Sequence, residues 1–188
     1  ELLLKSKENR LLLDRVYMVV FKEHELSMPI DENIDFELQD YYDHPEKYKN
    51  QFEKYIPHLS ILMNCMYWDD RYPRIVSKDF LEKLYQTEHR LKVIGDVTCD
   101  PDGSIEATHM GATILEPVYV YNPKTRQPKM GFEGDGLLIM AVEILPAELP
   151  RESSEAFGNV LVNYVKQLAE ADYNTTFENL SLPAEFKR

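Results

Sequence analysis

LSILMN at Leu59–Asn64, SKDFLEKLY at Ser77–Tyr85 and LKVIGDV at Leu91–Val97 decide the fold. The two outer runs are nearly continuous and apolar, the pattern of strands buried on both faces of a parallel sheet. Between them, Ser77 occupies an N-cap position before a short helical pattern. Upstream, Val16–Phe21 (VYMVVF) has the same buried-strand character. Lys22–Asp43 is acidic and irregular and reads as a long surface loop, and the spacing of Tyr48, Phe52, Tyr55 and Ile56 behind Pro45 predicts a helix over Pro45–Ile56. Strand, helix, strand, helix, strand implies right-handed crossovers and a doubly wound, mostly parallel α/β sheet. Downstream, Val118–Tyr121 (VYVY) and Leu137–Val142 (LLIMAV) read as later strands separated by a polar loop with Pro123 and Pro128. A long amphipathic helix follows, with Phe157, Leu161, Tyr164, Val165 and Leu168 on one stripe. Residues 1–13 read as the end of a helix. The division expected is 1–150 for the sheet and 151–188 for the closing helix and a peripheral tail.

The 188 residues include 33 acidic and 21 basic side chains, a net charge of −12. That balance excludes a sequence-independent grip on nucleic acid, which needs clustered Lys and Arg. No apolar run approaches the roughly 20 residues that cross a bilayer, so no membrane span is expected. The two cysteines, Cys65 and Cys99, form neither a disulfide framework nor a CxxC or Cys/His zinc pattern. They suggest an intracellular protein without a metal site. The opening Glu-Leu-Leu-Leu suggests a piece of a longer polypeptide.

Ligands of open α/β sheets bind beyond the carboxyl ends of the strands. Three such ends carry chemistry. Asn64-Cys65-Met66-Tyr67-Trp68 offers a wall for a flat ring, or an aromatic plug beneath a loop. Asp96 to Glu106 (DVTCDPDGSIE) gathers ionisable groups around a Gly turn; they can hold a ligand hydroxyl or ammonium, move a proton, or simply cap the turn. The calcium-loop pattern is not met. Val142–Pro146, then Leu149–Glu152, form a strand-to-helix connection with free backbone groups. There is no GxGxxG, and Gly131–Gly136 has the wrong order for one; P-loop, GxSxG and HExxH patterns are absent, and the five histidines have no ligand spacing.

DYYDHPEKY, NCMYWDDRYPR, IGDVTCDPDGSIE and GDGLLIMAVEILPAELPRESSEAFG, in this order, resemble the lysine-ketoglutarate reductase half of bifunctional α-aminoadipic semialdehyde synthases. The likeness runs from about Arg15 to Tyr173; saccharopine dehydrogenase and alanine dehydrogenase are similar over DVTCDPDGSIE and AVEILPAELPRE. The resemblance implies a Rossmann-like cofactor domain whose long helix returns toward an N-terminal domain lying upstream. It implies an oxidoreductase that condenses lysine with 2-oxoglutarate and reduces the product to saccharopine with NADPH, NADH being open. Asp100 then matches the acidic residue facing nicotinamide and substrate. Asp96, Tyr67, Trp68, Val142, Glu143 and Leu145 are implied at the cofactor and Arg151 at the substrate. Relatives commonly carry Asp where Glu143 stands. The glycine turn and most lysine-binding groups would lie upstream, so the chain alone is expected to be inactive. Further domains of the same polypeptide are the implied partners, with room for a homo-oligomer and a mitochondrial or cytoplasmic setting. The alternatives are an NAD-dependent saccharopine dehydrogenase and a noncatalytic module with the same fold.

Overall fold

A computed structural model describes residues 18–187. The chain forms two compact units, one ending at Glu143 and one running from Ile144. In the first, helix α1 (Glu23–Leu26) leads into strand β1 (Ser27–Pro29), and helix α2 (Leu38–Asp43) precedes strand β2 (Tyr48–Asn50). The β1 and β2 strands pair antiparallel, Met28 opposite Lys49. The main sheet contains β3 (Ile61–Asn64), β4 (Val93–Asp96), β5 (Val118–Asn122), β6 (Gln127–Met130) and β7 (Leu137–Met140), in the order β3-β4-β7-β5-β6. The β3, β4 and β7 strands run parallel, as their apolar sequences imply, and β5 and β6 add an antiparallel hairpin beside β7. The α/β class with a parallel centre is observed.

One face of the sheet carries the core. Leu62, Ile94, Ile139 and Tyr119 stand opposite one another across four strands. They pack with Phe52, Ile56, Leu81, Leu84, Ile105 and Leu137. Helix α3 (Lys78–Leu84) supplies Leu81 and Leu84, and its start is fixed by Ser77, whose Oγ accepts from the Phe80 N–H at 3.2 Å. On the other face, Ile61 and Met63 of the edge strand remain 60% and 55% exposed.

Several expectations change. Pro45–Ile56 is not one helix: 3-10 turns at Pro45–Lys47 and Phe52–His58 flank β2. Asn50 Oδ1 accepts from the Phe52 N–H at 2.7 Å, a local turn that competes with helix, and Pro57 has no N–H to continue one. The stretch Lys22–Asp43 contains α1, β1 and α2 rather than loop alone. In VYMVVF, Val16 and Tyr17 lie outside the described residues, as does the helix expected at 1–13. Met18–Phe21 is not strand, and Met18 is 86% exposed. An extended run becomes a strand only where neighbouring backbone pairs with it.

The second unit holds a 3-10 turn at Leu145–Glu148 and the long helix α4 (Pro150–Glu170), started by Pro150 in its first turn. The tail folds onto α4, with the Tyr164 ring edge-to-face against Phe186 at 5.3 Å. Among the described residues no helix is long and apolar enough to cross a membrane.

Candidate functional site

Because β3, β4 and β7 are parallel, their carboxyl ends share one edge of the sheet. Asn64 and Asp96 end β3 and β4 directly opposite each other, and a bridge from Ala112 to Val142 prolongs the line of β7. Asp96 is completely buried. Its Oδ1 accepts from Asn64 Nδ2 at 2.8 Å and from the Thr98 hydroxyl at 2.7 Å, and its Oδ2 accepts from the Thr108 hydroxyl at 2.5 Å. The second hydrogen of Asn64 Nδ2 goes to Ser104 Oγ at 2.8 Å. Both carboxylate oxygens are thus occupied within the protein. Asp96, expected at the cofactor, is closed off from solvent, and its contacts run to Asn64 and to the loop that follows.

That loop turns sharply. Cys99 and Asp102 adopt left-handed backbone (φ 58° and 51°), a conformation costing an L-residue roughly 1–2 kcal/mol. The Cys99 thiol meets the carbonyls of Val142 and Asp96 at 3.1 and 3.2 Å, tying the loop to the ends of β7 and β4. Burial first, then the carboxylates of Asp96, Glu143 and Asp100, push the Cys99 thiol up to about 11, so it is a quiet group at neutral pH. Gly103 closes the turn on Asp100: its N–H donates to the Asp100 carbonyl at 2.9 Å, and a Cβ there would lie 2.6 Å from the Asp100 Cβ. Asp100, between these constraints, is exposed. Glu143 is exposed as well, and its side chain folds over Gly111, where a Cβ would collide with it. Asp96, Asp100, Val142 and Glu143 are therefore gathered about Cys99. Asp102 forms an ion pair with Lys78, and Arg74 donates to its carbonyl at 2.7 Å.

Beyond β3 the chain lines a cleft of about 370 Å³ with Met66, Tyr67, Trp68 and Arg71, faced by Tyr41 and Tyr42 from α2. Tyr67 is 89% exposed. Trp68 is fixed instead: its indole N–H donates to the Tyr72 carbonyl at 3.1 Å, and the Arg74 guanidinium lies 5.4 Å from its ring centre. Burial raises the Tyr41 hydroxyl above its ordinary range, and its ring meets Tyr72 edge-to-face at 5.4 Å. Leu145 and Arg151 belong to the second unit, Leu145 opening its 3-10 turn and Arg151 exposed in the first turn of α4.

A profile of the family described as alanine dehydrogenase/PNT, C-terminal domain, matches residues 25–185. The chain belongs to that family. Among curated proteins it is similar to an α-aminoadipic semialdehyde synthase of Arabidopsis thaliana, 37% identical over all of this chain and 18% of the relative. The mitochondrial α-aminoadipic semialdehyde synthase of Mus musculus is 27% identical over 89% of the chain and 20% of its own length. An NAD(+), L-lysine-forming saccharopine dehydrogenase of Emericella nidulans is 31% identical over 64% of the chain and 31% of its own length. The chain spans about a fifth of the two synthases.

In this alanine dehydrogenase/PNT domain, Asn64, Thr98, Ser104 and Thr108 are participants that sequence reasoning missed. A polar residue ending each of two adjacent predicted strands, Asn64 and Asp96, was the available signal. Tyr41 and Tyr42 stood in a quoted motif but gave no sign that α2 carries them to Tyr67.

Proposed function

We propose that this chain is the distal part of the pyridine-nucleotide domain of a lysine-catabolic oxidoreductase, one that condenses L-lysine with 2-oxoglutarate and reduces the product to saccharopine with NADPH. The observation that carries the reading is Asp100, an exposed carboxylate on a tightly tied loop at the shared carboxyl edge of three parallel strands. Such an edge is where open α/β sheets bind nucleotides. Similarity to α-aminoadipic semialdehyde synthases over 89% to 100% of the chain, against 64% for the saccharopine dehydrogenase, supports the choice of reaction.

The residues present fit the nicotinamide half of the cofactor. An exposed ring (Tyr67) and the exposed carboxylates of Asp100 and Glu143 lie on the sheet's open edge, whereas Gly131–Gly136 joins β6 to β7, strand to strand, and is no pyrophosphate turn. In this reading Tyr67, Trp68, Glu143 and the backbone of Val142 hold the nicotinamide end; of the second unit, the Leu145 backbone is offered to the cofactor and Arg151, a planar cation, to a substrate carboxylate. When bound, NADPH supplies the hydride. Asp100 attracts the cationic nitrogen of lysine, keeps it at the reacting carbon and exchanges a proton with it through its carboxylate oxygens. Groups for the remaining steps come from other parts of the parent polypeptide.

The test is lysine- and 2-oxoglutarate-dependent oxidation of NADPH, run on the complete parent and on this chain in parallel, with NADH as the comparison. Turnover in the parent alone is expected. Turnover by the isolated chain means that the catalytic groups have been misassigned, and a folded but inactive parent favours a noncatalytic module.

A further inference from the structure

We propose that Asp96 is a positioning residue: with Asn64 and Thr108 it forms a buried polar clamp that holds the Val97–Thr108 loop so that Asp100 stands at the sheet edge. The proposal rests on the reading of Asp100 given above. The clamp has an anchor and two arms. The anchor is the Asn64–Asp96 pair, opposite residues of β3 and β4 on the face that carries the core. One arm grips the start of the loop, where the Thr98 hydroxyl donates to Oδ1, and the other grips its end, where the Thr108 hydroxyl donates to Oδ2. Between them Ser104 is caught by the second hydrogen of Asn64 Nδ2. Asp100 lies between the first arm and Ser104, and the Asp102 N–H closes the base of the loop on the Thr108 carbonyl at 2.8 Å.

A carboxylate suits this place better than an amide. Every hydrogen pointing at Asp96 comes from a donor, so an acceptor-only group satisfies all three without a reversal. It also fixes which way the Asn64 amide faces. A carboxylate buried with all its contacts inside the protein has no surface left for a ligand; what it can do is hold other groups still. Cys99 reports on whether it does, since its thiol leans on the Asp96 carbonyl and is 8% exposed, while Cys65 is exposed.

The experiment uses the complete parent polypeptide carrying Asp96→Asn, Thr108→Val or Thr108→Ser. Iodoacetamide labelling is mapped by mass spectrometry at Cys99, with Cys65 as the exposed reference, and NADPH affinity and kcat are measured alongside. Asp96→Asn and Thr108→Val are expected to speed Cys99 labelling about tenfold, because the loop opens locally more often while circular dichroism stays native. They lower kcat by about tenfold with NADPH Kd held within about twofold, and Thr108→Ser restores both readouts. Weakened NADPH binding with Cys99 still protected would overturn the proposal and make Asp96 a direct ligand. Unchanged labelling and unchanged kcat would overturn it equally. Should Asp96→Asn fail to fold, Thr108→Val against Thr108→Ser decides. Should the wild-type parent show no lysine-dependent turnover, the functional reading fails by itself, and the Cys99 labelling still decides whether the clamp holds the loop.

Discussion

Cys99 links stability to pH at a single side chain. An unfolded cysteine loses its proton near its ordinary value of 9.0, and the folded thiol keeps it to about 11. Between those values unfolding releases a proton, so stability is complete below pH 9 and falls as pH rises toward 11. Two pH units correspond to at most about 3 kcal/mol. Urea titrations of the chain at pH 8 and pH 10.5 should show this fall, and in Cys99→Ala the part due to the thiol should vanish; an equally steep fall in the variant would move the cause elsewhere. Asp100 gives the opposite kind of prediction. It is exposed, so Asp100→Asn in the complete parent should leave the melting temperature nearly unchanged while lowering kcat/KM roughly a hundredfold or more, the usual loss for a group that moves a proton. Steady-state assays with lysine and 2-oxoglutarate measure it, and full activity would remove Asp100 from the site. At this scale the sequence was informative in one respect: a cluster of acids after a buried strand marks the loop. It could not separate Asp96 from Asp100, since both sit in one acidic stretch behind the same buried run and only three-dimensional closure buries one and exposes the other.

The elements divide by how local their causes are. Helix α3 was legible because its start signal is local: Ser77 caps Phe80, and its hydroxyl also reaches Glu53 Oε1 at 2.7 Å. Ser77→Ala should therefore cost about 1 kcal/mol in urea unfolding, while Ser77→Asp, which caps equally well but meets Glu53 as a like charge, should not recover all of it. Strands β3, β4 and β7 were legible for a similar reason, since continuous apolar runs have few other uses. Strand β6 was not, because Pro128 argues against a strand; it is tolerated because β6 lies at the edge of the sheet, where one side of its backbone needs no partner. Strand β2 was hidden inside a helical spacing. Tyr48 is buried there through long-range contacts, its ring against Phe36 and Tyr41 at 5.4 and 5.1 Å, and its hydroxyl donating to the Glu37 carbonyl at 3.1 Å. Those partners come from a segment that read as loop, so periodicity within 45–56 could not reveal them.

For the molecule as a whole, a net charge of −12 coexists with large apolar side chains in the open: Leu115 at 93%, Phe132 at 72%, and the pair Ile61 and Met63 along the edge strand. An edge strand presents unpaired backbone groups that invite another strand, and exposed apolar side chains strengthen the invitation. Like charge opposes it, because two copies approaching must bring their negative charges together. Salt separates the two effects. The Debye length falls from about 20 Å at low salt to about 5 Å at a few tenths molar, which screens repulsion but leaves apolar contact intact. The isolated chain is therefore expected to gain apparent mass in light scattering as NaCl rises, and the double variant Ile61→Lys and Met63→Lys is expected to suppress the gain. The lysine stem at 63 can still lie across Gly95, where the Met63 thioether now sits, so the suppression should come without a large loss of stability. Association that instead dissolves with salt would mean that ion pairs, not the β3 edge, draw the copies together, and association unaffected by the lysines would place the sticky surface elsewhere on the chain.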